Sequence, residues 1–222
     1  SNLAVAWADD RLGDWQIMFA LVDGTGSLVA SDVPITSYAS SSRAPWLAWT
    51  GSELGLTWQD DRDGDNEVYF ARLSASGAKQ TSDIPVTANT ISDTPTTLVW
   101  TGSEFAVTWY YWSDDVHMAR LSLDGAQVGS TINVSAAPGS TQVRDPYLVF
   151  AGSELDVVWG DNRSGTQQIM MHRFDLDSTP IGAAFAPIAS GFTESDAVMT
   201  WSGSELGIVH GMTYFDRLIP CS

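Results

Sequence analysis

The chain is poor in several residue types. It has one cysteine, Cys221, one lysine, Lys79, and three histidines in 222 residues. One cysteine excludes an internal disulfide and therefore a scaffold held by cross-links. Cys221 is read as an unpaired tail thiol. No run of about 18 apolar residues is present, so no helical segment could cross a membrane. Positive charge is scarce. Ten Lys and Arg stand against 27 Asp and Glu, a formal net charge of −17. That balance opposes nucleic acid, whose phosphates demand basic patches. It suits an extracellular or saline setting. Also missing are the G-x-S-x-G nucleophile turn, the H-E-x-x-H zinc motif and a phosphate-cradling glycine loop. No stretch has helical periodicity.

What the chain does have is repetition. Hydrophobic residues make up 44%, enough for a core. The serines of four G-S-E triplets, Ser52, Ser103, Ser153 and Ser204, lie 51, 50 and 51 residues apart. A step back of 51 from Ser52 reaches Ser1, where SNLAVAW stands in place of SELGLTW. Five copies follow, and the chain opens inside the first, as expected of a mature or trimmed form. A period near 50 signals a propeller or a solenoid.

Each copy reads as four strands. In SELGLTW, Leu54, Leu56 and Trp58 alternate with small or polar residues, the period of a strand. PWLAW precedes it, VYFARL follows it, and DIPVT comes last. We name these strand types A (PWLAW), B (SELGLTW), C (VYFARL) and D (DIPVT). Glycine-centred turns join A to B and C to D. Strand C is apolar on both faces and needs a neighbour on each side. Four-stranded antiparallel blades packed around an axis supply one. The expectation is an all-β propeller, one domain over 1–222, of five blades with the terminal ones incomplete. Completing them would need a longer parent chain or an oligomer.

The repeat resembles the propeller repeats of large secreted bacterial proteins, with outline P-x-x-x-[WF]-x-G-S-E-x-x-x-x-W-x-D-x-R-x-G-x-x-x-I-x-x-x-R. The resemblance spans the chain and implies the fold and an extracellular or cell-surface location. It is nearly silent on activity, because propellers host many.

Seven of the nine arginines occupy repeated positions. Glu53, Glu104, Glu154 and Glu205 open strand B; Arg72, Arg120, Arg173 and Arg217 close strand C. In the first copy both change together, to Asn2 and Leu21. That covariation predicts a cross-strand ion pair. Asp9/Arg11, Asp60/Arg62 and Asp161/Arg163 also come and go together and predict a contact that folds the B–C loop. The repeated tryptophans, Trp7, Trp58, Trp109, Trp159, Trp49, Trp100 and Trp201, read as core between blades. His117, His172 and His210 take positions that are apolar or aromatic in other copies. Asp61, Asp63 and Asp65 have the alternate spacing of a calcium loop. The matching loops lack it, so an acidic turn is the reading, with calcium the weaker one and no cofactor expected.

Individual function is sought in what does not recur. The loops before strand A bring Arg43, Trp46, Asp93, Arg144, Asp145, Tyr147 and Asp196 to the channel mouth. The third B–C loop adds Tyr110, Tyr111 and Trp112. Aromatics beside carboxylates and arginines hold sugars and polar ligands by stacking and directed hydrogen bonds. The expectation is a non-catalytic, lectin-like binding module for a glycan or an extracellular protein. Its alternatives are a glycoside hydrolase with paired carboxylates at the mouth and a purely structural or surface-display propeller.

Overall fold

The structure, a computed structural model, describes residues 2–11, 13–29, 32–37, 39–111, 115–135, 143–188, 197–210 and 214–218, the last stretch by its backbone alone. The described residues are all β. The strands are β1 (Leu3–Asp9), β2 (Gln16–Val22), β3 (Val33–Pro34), β4 (Ser42–Trp49), β5 (Glu53–Asp60), β6 (Glu67–Ser74), β7 (Ile84–Pro85), β8 (Asp93–Trp100) and β9 (Phe105–Tyr111). They continue as β10 (Val116–Leu121), β11 (Gln127–Asn133), β12 (Val143–Phe150), β13 (Glu154–Asp161), β14 (Gln168–Asp175), β15 (Ala197–Trp201), β16 (Leu206–His210) and β17 (Tyr214–Leu218).

These strands form five antiparallel sheets in sequence order, β1–β3, β4–β7, β8–β11, β12–β14 and β15–β17. They are the blades of a β-propeller, one per repeat. Among the described residues only the second and third blades have four strands. In the fourth, the expected D strand shrinks to isolated bridges of Phe185 with Met171 and of Pro180 with Phe174.

The A–B turns close on Gly51, Gly102, Gly152 and Gly203, all at positive φ, the conformation glycine tolerates best. The C–D turns of the second and third blades need glycine for a further reason. A Cβ on Gly77 would lie 2.3 Å from the ring of Phe19, and one on Gly125 would lie 2.6 Å from Ile84. Each turn is pressed against the blade before it.

The inner strands touch in turn: β4 meets β1 and β8, β8 meets β12, and β12 meets β15. The apolar clusters lie between blades rather than within them. Ile17 and Phe19 of the first blade pack with Leu54, Leu56, Trp58, Tyr69 and Leu73 of the second. Val68 and Phe70, on the opposite face of β6, pack with Leu98, Phe105, Val107 and Trp109 of the third. Two further clusters join the third blade to the fourth and the fourth to the fifth. Strand C is therefore covered on both faces, as its composition requires. Each fully buried large apolar side chain contributes about 1.5–3 kcal/mol. Trp58, Trp109 and Trp159 are at most 1% exposed. Trp49 departs from the expected core role at 51% exposure. His172 and His210 are buried.

The repeated charges hold the frame. Arg72 bonds Glu53 at 2.8 Å, Arg120 bonds Glu104 at 2.9 Å and Arg173 bonds Glu154 at 2.6 Å. Arg217 lies among residues described by backbone alone. The arginines also reach beyond the hairpin. Arg72 bonds Asp124 of the next blade at 2.5 Å, and Arg120 donates to the Leu176 carbonyl of the next at 2.8 Å. In the B–C loops Arg11 bonds Asp9 at 2.5 Å, Arg62 bonds Asp60 at 2.6 Å, and Arg163 bonds Asp161.

Candidate functional site

Strand A begins at the end of the propeller opposite the G-S-E turns. Near that start the A–B register slips in three blades: between Arg43 and Trp46, between Pro95 and Thr97, and between Arg144 and Tyr147. A bulge of this kind re-aims side chains. It sets two non-glycine residues at positive φ, Ala44 at 50° and Asp145 at 46°. Aspartate tolerates that region better than most residues. Backbone outliers of this kind gather at functional sites.

Beyond the bulges the inner strands line a channel of about 460 Å³. At its mouth a second cavity of about 300 Å³ is bounded by Trp46, Pro95, Tyr110, Asp145 and Tyr147, among others. Trp46 and Tyr147 meet edge to face, ring centres 5.9 Å apart. Asp145 is exposed and Tyr110 is half-buried. Burial, and then the charge of Asp145, push the Tyr110 hydroxyl up. It therefore stays protonated at neutral pH and can donate a hydrogen bond.

Of the residues expected at the mouth, Trp46, Tyr110, Asp145 and Tyr147 thus share one cavity. Arg43 is exposed, lies over the Trp15 ring at 4.8 Å and lines a separate cavity of about 190 Å³ with Gln59 and Asp61. Arg144 is exposed beside Asp145. Trp112 and Asp196 lie outside the described residues. Tyr111 lies on the other face of β9, packed against the cluster between the second and third blades, its ring 4.5 Å from that of His117. Of the two tyrosines only Tyr110 lines this cavity. The strand period carried that signal, since adjacent residues face opposite sides.

Asp93 corrects the expectation of a ligand contact, because it is fully buried. Its Oδ2 accepts from Asn89 Nδ2 at 2.7 Å, while Oδ1 has no partner. Glu67 lies close by. It accepts from the Asn89 N–H at 2.7 Å and from the Thr87 hydroxyl. Burial pushes the Asp93 carboxyl up to about 7, and the charge of Glu67 pushes the same way.

The acidic loop behaves as a turn. Asp61 accepts from the Ser41 N–H at 2.8 Å, and Asp63 accepts from the Tyr69 hydroxyl. Among the described residues no three His, Cys, Asp or Glu side chains converge as metal ligands would.

No protein-family model matches the sequence, and no curated protein matches it. Solved structures do share its fold. A GH43 endo-arabinanase from Bacillus licheniformis matches 98% of this chain over 89% of its own, with a TM-score of 0.54 and 11% identity. A thermostable family-43 glycoside hydrolase matches 94% over 84%, TM-score 0.54, 13% identity. The NanB sialidase of Streptococcus pneumoniae matches 95% over 38%, TM-score 0.59, 9% identity. At such identities the likeness shows the fold, an all-β propeller. It also corrects the expectation of a non-catalytic binding module. The finding against it is that these family-43 neighbours are glycoside hydrolases.

Proposed function

We propose that the protein is a secreted glycoside hydrolase acting at the channel mouth. The observation that carries this reading is the shared cavity there. Asp145 is held on a bulge beside a protonated Tyr110 and the rings of Trp46 and Tyr147. Aromatic faces stack on sugar rings, and carboxylates supply the acid–base chemistry of glycosidic cleavage. Asp145 is assigned as one member of the pair. Asp196 stands 51 residues on, at the same place in the repeat, and is the second candidate from sequence alone. One carboxyl protonates the leaving oxygen while the other attacks the anomeric carbon or activates water. The hydroxyl of Tyr110 would donate to the bound sugar. The family-43 likeness supports the reaction class, and the acidic composition suits an extracellular setting.

A panel of chromogenic glycosides and polysaccharides tests the proposal. Hydrolysis of at least one is expected, with Asp145→Asn lowering kcat by about 10²-fold or more at unchanged melting temperature. No turnover on any member, or full activity in that variant, would refute it.

A further inference from the structure

Positive charge is scarce in this chain, and ion pairs absorb nearly all of it. Among the lysines and arginines whose side chains are described, every one forms an ion pair except Arg43 and Arg144. These two hold the same place in the repeat, in R-A-P-W and R-D-P-Y, where the third and fifth copies have Thr94 and Ser195. Both stand just before the bulge of an inner strand, at the channel mouth. Both are exposed. In a protein of net charge −17, two such cations at one opening mark where an anion would be met.

Arg43 is held in place for such a contact. Its guanidinium lies over the Trp15 ring at 4.8 Å. Stacking fixes the plane of the group and leaves its N–H donors at the edge, and among the described residues no acceptor takes them. The cavity of about 190 Å³ beside it is polar, with Ser41, Gln59, Asp61 and Asn66 completing its lining. Asp61 spends one carboxylate oxygen on the Ser41 N–H. Gln59 Nε2 donates to the Thr94 hydroxyl at 3.5 Å. Thr94 also borders the cavity of Asp145 and Trp46, so this bond stands where the two cavities adjoin. At the second cavity Arg144 stands beside Asp145. Burial and Asp145 push the Tyr110 hydroxyl there upward, and the charge of Arg144 pushes it down.

We propose that the polysaccharide taken at this mouth carries uronic acids, with one sugar carboxylate bound by Arg43 in the polar cavity while a neighbouring part of the chain lies at Asp145. The inference rests on the reading of this mouth as a saccharide site and names the class of saccharide. A carboxylate matches the fork of a guanidinium in two parallel bonds, and charge-assisted bonds are about twice as strong as neutral ones. Gln59 and Asn66 supply donors, and Asp61 an acceptor, for ring hydroxyls. Arg144 offers a second cation to a carboxylate nearer the cleaved bond. The acidic remainder of the surface opposes a polyanion elsewhere, which confines binding to the mouth. A neutral polysaccharide would cover both cations without giving either a charged partner.

The test uses the Asp145→Asn protein, slowed for cleavage, so that binding is read apart from catalysis. Polygalacturonate, alginate and hyaluronate are titrated by calorimetry, each beside its carboxyl-reduced form, with dextran sulfate as a polyanion that lacks carboxylates. At least one uronate polymer is expected to bind at least about tenfold more tightly than its reduced form. Adding Arg43→Gln should shrink that preference to within about threefold at nearly unchanged melting temperature, and Arg43→Lys should restore part of it. Binding of no uronate polymer, equal binding of the reduced form, a preference that survives Arg43→Gln, or equal binding of dextran sulfate would overturn the proposal. The hydrolase reading fails separately. A uronate polymer bound in this way yet left uncut by the unaltered protein counts against hydrolysis alone. A neutral polysaccharide cut while no uronate polymer binds counts against the uronate class alone.

Discussion

The second and third blades share a repeat, yet their mouth ends hold a carboxylate in opposite ways. In the second, the acid is Asp60 at the end of strand B. It accepts from Ser42 at 2.7 Å, from Trp58 at 3.2 Å, from Ser40 at 3.1 Å and from three groups of Arg62. Burial pushes its carboxyl up, but the bonds from Arg62 and Ser42 outweigh that, and the net shift is downward. In the third blade the matching position is Tyr111, and the acid has crossed to Asp93 on strand A. Among the described residues no arginine is bonded to it, and burial, with the charge of Glu67 adding to it, pushes its carboxyl upward. Trp109, the equivalent of Trp58, is left with no partner for its Nε1. A buried acid is tolerated either as an anion held by a cation or as a neutral group. Burial pushes both carboxyls up, and only where a cation and hydroxyl bonds outweigh it does the acid stay an anion.

The largest effect that sharpens this contrast is the loss of the cation. Arg62 also bonds Asp83 at 2.9 Å, so Arg62→Leu leaves Asp60, 0% exposed, without its cation and leaves Asp83, 5% exposed, with Lys79 alone. A loss of about 3 kcal/mol is expected in urea titrations at pH 7, with a fall in melting temperature of about 6–12 °C. A loss below about 1 kcal/mol would mean that Asp60 and Asp83 do not depend on Arg62.

Asp93→Asn should act in the opposite direction. The folded carboxyl titrates near 7, above its ordinary value. Its stabilising share is full below about pH 4, fades as the pH rises, and is gone above 7. The variant should therefore be more stable than the parent above pH 7. The gain is of order 2 kcal/mol, because Glu67 keeps part of the linkage. Its stability curve should be flatter between pH 4 and 7. A variant less stable than the parent at pH 8 would break the contrast.

The smallest effect lies at the opposite end of the two blades, where they do not differ. Double-mutant cycles on Glu53 with Arg72 and on Glu104 with Arg120 should give the same coupling, about 0.5 kcal/mol each. A coupling in one blade and none in the other would show that the bonds to Asp124 and Leu176, not the repeated pair, hold the arginines.

The sequence by itself settled the repeat, the strand order, the glycine turns and the charge pairs within a hairpin. Those features are local. A period of two fixes which side chain faces which, and residues on adjacent strands meet by register, so covariation across copies exposes them. The pairing of Arg72 with Glu53 and of Arg62 with Asp60 was legible for that reason. The split between Tyr110 and Tyr111 was legible in principle, since two neighbouring residues of a strand lie on opposite faces of the blade. What the tertiary structure alone decided lies between blades. The depth of Asp93 depends on strands β6 and β8 of different blades closing over it. The exposure of Trp49 depends on what stands opposite it across the β1 edge. The reach of Arg72 to Asp124 spans 52 residues of chain. Such contacts follow from how far one sheet is rotated against the next. That angle is set by the summed packing of many side chains, and no short stretch of sequence encodes it.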